Sequence, residues 1–185
     1  MVNFMIAVDE GENSEHCIRE VVQHIYNREK DVIYLISVAQ DPITFPSSAM
    51  SAVLIAESLK AVERQHKSIL INRTKFARSL GTVNVHALLG HGNHVGEAVC
   101  KAAEQKNIEY LVVGRRGMGA IKRIFIGSTS RYILEHAPCN VICVKDHSES
   151  GEKEKDTNTE QQQQQQHDHS EIDSFNDFEK LHLHV

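Results

Sequence analysis

Apolar positions along most of the chain switch between two rhythms. Asn3–Asp9, Asp31–Ala39, Ile108–Val113 and Asn140–Val144 are short apolar runs rich in Val and Ile, and Thr82–Leu89 sets Val83, Val85 and Ala87 on one face. Each has the length and composition of a strand. Between them apolar residues recur every three or four positions. Cys17, Ile18, Val21, Val22, Ile25 and Tyr26 form one such stripe, for which Ser14 is the expected N-cap. Residues from about Ser48 to Leu80 read as one long helix or two joined ones, with Gly81 at the C′ position where a left-handed residue ends a helix. Val95, Ala98, Val99, Ala102 and Ala103 mark a third helical segment and Ser128–His136 a fourth. Asp41–Pro46 contains two prolines and is expected to be a loop, and Gly90–Asn93 a turn.

Strands separated throughout by helices predict an α/β fold, a parallel sheet covered on both faces by right-handed crossovers. In such sheets the ligand crevice lies beyond the carboxyl ends of the strands. The ends to inspect are therefore Val8-Asp9, Val38-Ala39, Leu89-Gly90 and Val113-Gly114.

Large apolar residues nearly vanish after residue 146, and a run of glutamines occupies Gln161–Gln166. We expect residues 1–146 to form the folded domain and 147–185 a disordered, acidic, Gln-rich tail, because such a composition buries too little apolar area to offset its ordering entropy. Ile172, Phe175, Phe178 and Leu181 recur at three-residue intervals, a pattern a short helix on a partner would use, although a solvated tail is the simpler reading.

Charge divides at the same place. Residues 1–145 carry 17 Lys and Arg against 14 Asp and Glu, a balance of +3, and residues 146–185 carry 3 against 11, a balance of −8. A domain so close to neutrality lacks the clustered basic face that nucleic acid requires.

The amino-terminal apolar run is too short for a signal peptide and has no basic region before it, and no segment reads as membrane-spanning. A cytoplasmic location is expected, and nothing in the sequence separates cytoplasm from nucleus. Cys17, Cys100, Cys139 and Cys143 show no CxxC spacing, and Cys139 and Cys143 lie four apart in an expected strand, a spacing for packing rather than for a metal. His24, His66, His86, His91, His94 and His136 form no HxxxH or HExxH pattern and read as surface or core histidines. No metal site and no catalytic constellation is assigned.

The chemistry concentrates after the fourth strand, in Gly114-Arg115-Arg116-Gly117-Met118-Gly119. Glycines at a strand end let the backbone turn and present its N–H groups to an anion. Nine residues separate Gly117 from Gly127-Ser128-Thr129-Ser130, at the start of the fourth helical segment, where unpaired donors and the helix dipole favour phosphate. Arg115 or Arg116 could neutralise phosphate charge. No Gly-Lys-Ser/Thr follows, so this is not the Walker A arrangement.

The spacing Gly-x2-Gly-x9-Gly-Ser after a strand, with Ala7-Val8-Asp9 and the closing Glu135–Val144, resembles the ATP-binding branch of the universal stress protein family, over Val2 to Lys145. That resemblance implies a Rossmann-like open sheet of five parallel strands in the order 3-2-1-4-5. It implies that Gly114 and Gly117 frame a phosphate loop and that Gly127, Ser128, Thr129 and Ser130 contact a triphosphate. Asp9 would meet the ribose and Val38 the adenine. A divalent ion such as Mg or Mn would arrive with the ATP. Glu10-Gly11-Glu12 stands where the family often has a small Gly-Ser pair, which brings a carboxylate toward the phosphates. The implied strand order also leaves Asn140–Val144 as an apolar edge, suited to an isologous homodimer.

The function expected is ATP-dependent regulation of protein partners, which the sequence does not identify. A dimeric scaffold with an empty pocket and a slow ATP-hydrolysing or adenylating enzyme are the alternatives, and the lack of an evident general base beside the glycines disfavours the enzyme.

Overall fold

A computed structural model describes residues 1–40, 48–115 and 126–145, and the backbone of Phe178–Leu181. The expected loop at Asp41–Pro46, Arg116, Gly117 and most of the tail lie outside the described residues. The elements run β1 (Asn3–Ala7), α1 (Glu12–His24), β2 (Val32–Gln40), α2 (Ala49–Ser79), β3 (Val85–Gly92), α3 (Val95–Gln105), β4 (Tyr110–Gly114), α4 (Ser128–His136) and β5 (Asn140–Val144), with β6 at Phe178–Leu181. The first five strands pair in parallel in the order 5-4-1-2-3, which is the expected 3-2-1-4-5 read from the other edge.

Strand alternation sorts the core into two layers. Phe4, Ile6, Ile33, Leu35, Val85, Ala87 and Val112 meet Cys17, Ile18 and Val21 of α1 and Ile69, Leu70 and Ala77 of α2. Met5, Ile36, Val38, Leu88, Leu111 and Val113 meet α3 and Ile133 of α4 on the other face. Because β1→β2→β3 winds one way and β4→β5 the other, the order reverses between β1 and β4, where a crevice opens.

The expected stop after α2 is present in full. Gly81 adopts φ 96°, the Gly81 N–H donates to Arg78 O at 2.9 Å, and the Thr82 N–H donates to Ala77 O at 3.4 Å, a Schellman pair. α2 is a single helix rather than two, capped by reciprocal hydrogen bonds between Ser48 and Ser51.

Three expectations are corrected. β3 begins at Val85 rather than Thr82, leaving Val83 exposed, and continues through Gly90 to Gly92 because β2 supplies a ladder as far as Gln40. Ile25 lies past the end of α1 and is 46% exposed. The sheet also gains β6, whose backbone pairs in parallel with Ala87–Gly90 of β3. Phe178 and Leu181, read above at helical spacing, lie in this strand.

Candidate functional site

Asp9 follows β1 directly, and the turn around it is closed by its own polar groups. The Asp9 N–H donates to Ser14 Oγ at 2.8 Å, Ser14 Oγ donates to Asp9 Oδ1 at 2.6 Å, and the Gly11 N–H donates to the same Oδ1 at 2.9 Å. Ser14 is therefore not the N-cap. Gly11 holds that position and α1 starts at Glu12, because the buried Ser14 hydroxyl is engaged by Asp9 rather than by its own helix start.

A second layer fixes the same turn from α2. Arg73, 9% exposed, donates from Nε to Asp9 O at 3.2 Å and from Nη2 to Glu10 O at 2.8 Å and Gly11 O at 3.2 Å. Its Nη1 pairs with Glu15 of α1. One guanidinium thus gathers three consecutive carbonyls, a use of its fixed fork of donors that lysine could not reproduce. Glu10 is turned toward α2, where its Oε1 accepts a 2.6 Å hydrogen bond from Gln65 Nε2.

The other end of the crevice is the start of α4. Gly127 is the N-cap, with φ −59° and ψ 157° and no side-chain cap, and the Arg131 N–H donates to Gly127 O at 2.9 Å. The N–H groups of Ser128, Thr129 and Ser130 fall in the first turn, which has no intrahelical acceptors. Ser130 Oγ donates to Gly114 O at 2.8 Å, tying the helix start to the end of β4. The angles at Gly127 suit any residue and a Cβ there would come within 4 Å of none of the described residues, which by themselves do not demand glycine at this position.

Between these ends lies a cleft of about 850 Å³. It brings together six predicted residues besides Asp9: Val38, Gly114, Gly127, Ser128, Thr129 and Ser130. Arg115 is not among its lining residues. The Arg115 N–H donates to Val144 O at 2.8 Å and its carbonyl accepts from the Gly127 N–H at 3.4 Å, so its backbone links β4, β5 and the start of α4.

The α2 wall was not anticipated. Val62, His66 and Ile69 line the cleft, and with Arg73 they follow the helical spacing of one face. His66 Nδ1 lies 2.8 Å from Ser37 Oγ, and burial lowers the pKa of His66 against the opposing pull of Glu10. Cys17 also lines the cleft, but burial pushes its thiol up to about 12, which keeps it protonated and unreactive at neutral pH. Among the described residues no group of three or more His, Cys, Asp or Glu is arranged to hold a metal ion, and no helix is long and apolar enough to cross a membrane.

Residues 1–145 match the universal stress protein family. A Staphylococcus aureus protein that carries the family's name is 26% identical over 143 residues, covering 77% of this chain and 83% of that protein. The solved structure of the universal stress protein UspA from Lactobacillus plantarum aligns with a TM-score of 0.65 at 24% identity, over 77% of this chain and 97% of that one. An Arabidopsis thaliana family member solved with AMP bound aligns with a TM-score of 0.55 at 18% identity, over 82% of this chain and 96% of that one.

Proposed function

Because the chain belongs to the universal stress protein family, we propose that it is an ATP-binding regulatory protein whose nucleotide occupancy modulates its protein partners. The observation that carries this reading is the single cleft joining Asp9, Val38 and the uncapped start of α4 at the reversal of strand order. Its volume of about 850 Å³ falls within the range of small-molecule sites. The AMP held by the Arabidopsis neighbour supports an adenine nucleotide as the occupant.

On this reading the phosphates sit on the N–H groups of Ser128, Thr129 and Ser130, where the dipole of α4 and the hydroxyls offset their charge. On the same reading Gly114, Gly117 and Arg115 complete the phosphate contacts, Gly117 being outside the described residues. Asp9, its carboxylate already oriented by Gly11 and Ser14, accepts from the ribose. Val38, packed among Val99 and other α3 residues, walls the adenine. Glu10 lines the cleft as well, with its Oε1 held by Gln65 of α2, so its charge is one that the ion accompanying the phosphates would offset. A Mg or Mn ion would ride on the phosphates, screening their charge. The protonated Cys17 offers no nucleophile at neutral pH, and on this reading occupancy, at most with slow hydrolysis, is the function.

The assembly proposed is a homodimer through β5, which pairs with β4 on one side and carries Val141, Ile142 and Val144. Residues 1–146 form the binding domain, to whose sheet Phe178–Leu181 adds a strand, the rest of 147–185 serves partners or solubility, and the free cysteines suit a reducing cytoplasm. The deciding experiment denatures purified protein, identifies any released nucleotide by chromatography, and titrates ATP into the emptied and refolded chain. Bound adenine nucleotide and a saturable titration are expected, and an empty protein that ATP does not titrate would overturn the reading.

A further inference from the structure

The wall of the cleft opposite α4 carries a polar pair that the nucleotide reading leaves unassigned. Ser37, 2% exposed, is cut off from water, and its Oγ lies 2.8 Å from His66 Nδ1. That contact occupies one ring nitrogen. The other, Nε2, has no partner among the described residues, although His66 lines the cleft. The surroundings are largely apolar on α2 and β2, where Val62 and Ile69 flank His66 and Val38 follows Ser37, with Gln65 and Glu10, bonded to each other, also in the lining. An apolar slot with one or two placed polar groups is what a flat heterocycle needs, whereas the donors at the start of α4 suit an anion. In the sheet, β1 alone stands between β4 and β2, so the two walls are about two strand spacings, roughly 10 Å, apart. A phosphate chain on one wall and its base against the other fit that span.

We propose that the Ser37–His66 pair reads the edge of the purine base, with His66 Nε2 as the contacting atom. This rests on the nucleotide reading above and adds to it the group that meets the base edge. The serine hydroxyl can either donate to Nδ1 or accept from it, so Nε2 can take either role in turn. It donates when Nδ1 accepts, and accepts when Nδ1 donates. A 6-amino and a 6-oxo purine are therefore both accommodated, and the pair selects for a purine edge without strongly separating adenine from guanine. Burial favours the neutral ring that this exchange requires, and the charged or titratable groups that bear on it are Glu10 from the β1–α1 turn and His91 from β3.

The test compares ATP, GTP and inorganic tripolyphosphate titrated calorimetrically into the full chain, the His66→Ala variant and the Ser37→Ala variant. Losing a single base contact should weaken ATP and GTP about tenfold in His66→Ala and by a smaller factor in Ser37→Ala. Tripolyphosphate, which has no base, should bind all three proteins equally. A second measurement needs no variant: with ¹⁵N-labelled histidine, the Nε2 resonance of His66 should shift on adding ATP and stay in place with tripolyphosphate. Equal ATP affinity in His66→Ala and wild type, or an unmoved Nε2 resonance at ATP saturation, would overturn the assignment while leaving the nucleotide reading intact. Parallel loss of tripolyphosphate binding would make His66 part of the frame and overturn it as well. If wild type binds no nucleotide, both proposals fall together.

Discussion

At the β1–α1 end of the cleft, Asp9, Gly11 and Ser14 bond one another and Arg73 takes the carbonyls of Asp9, Glu10 and Gly11. At the α4 end the helix starts on Gly127 with no side-chain cap, and Ser128 is exposed. The first region has its polar groups engaged within the protein, so it has a shape before any ligand arrives and loses little entropy in binding one. Among the described residues, the second has no side-chain cap on its donors. A rigid end that orients and an open end that attracts is a division of labour, and it means that substitutions at the two ends should fail differently: the first in stability, the second in binding alone.

The sharpest break in that contrast is Arg73→Met, which keeps the apolar stem and removes every donor. It strands three carbonyls and Glu15 at a site where the guanidinium was buried, and should cost about 2–4 kcal/mol of unfolding free energy. Urea denaturation measures this, and a cost under about 0.5 kcal/mol would show that the turn holds its shape without α2. ATP affinity should fall too, because the turn that aims Asp9 loosens.

Gly96→Ala disturbs the other end without touching its donors. A Cβ at Gly96 of α3 would come within 2.8 Å of Tyr132 Cδ1 and 2.9 Å of Tyr132 Cβ on α4. Tyr132 stacks on His136 at 4.2 Å, so the ring is backed by its own helix and α4 has to move. The expected cost is about 1–3 kcal/mol by thermal or chemical denaturation. A neutral substitution would mean that α4 is not seated firmly on α3.

The open end of the cleft was legible in the sequence, whereas of the rigid end only Asp9 was, for a reason visible in the contacts. Gly114 and Gly127 to Ser130 announce themselves locally, as a strand end and a helix start, and Gly81 does the same as a C′ residue. Arg73 reaches Asp9 across 64 residues and His66 reaches Ser37 across 29, and no local pattern marks such pairs. Ser14 shows the cost of reading locally, since a serine near a helix start suggests a cap until a neighbouring carboxylate competes for its hydroxyl. β3 errs the same way: Gly90 and Gly92 look like a turn, but the β2 ladder, unseen from within the segment, carries the strand through them. The strand order itself followed from the family resemblance rather than from periodicity, which supplies strands and not their neighbours. β6 did leave a signal, the apolar Phe178 and Leu181, but their three-residue spacing suggested a helix and the polar composition around them pointed away from a packed element.

Gly127→Val separates fold from binding most cleanly. With φ −59° and none of the described residues within 4 Å of the added Cβ, the variant should fold, losing at most about 1 kcal/mol from the poorer N-cap. Its bulk would then stand where a phosphate must approach, and ATP affinity should drop tenfold or more by calorimetry. Wild-type affinity in the folded variant would remove the start of α4 from the site.

The smallest effect is expected from Ser128→Ala, and its interest lies in what it leaves alone. Were Ser128 the cap of α4, alanine would cost about 1 kcal/mol of stability. Gly127 occupies the cap position instead and Ser128 is exposed at the first helical residue, so the thermal midpoint should stay within about a degree of wild type. The backbone N–H of residue 128 survives the change, and only the hydroxyl is lost. Affinity for ATP should therefore fall by about 1 kcal/mol or less, some three- to fivefold, the value of one hydrogen bond to a charged acceptor at an exposed position. Tripolyphosphate should weaken by the same factor, because the hydroxyl meets phosphate and not base. A larger fall for ATP than for tripolyphosphate would place Ser128 nearer the ribose than the phosphates and shift the proposed orientation of the nucleotide along the cleft.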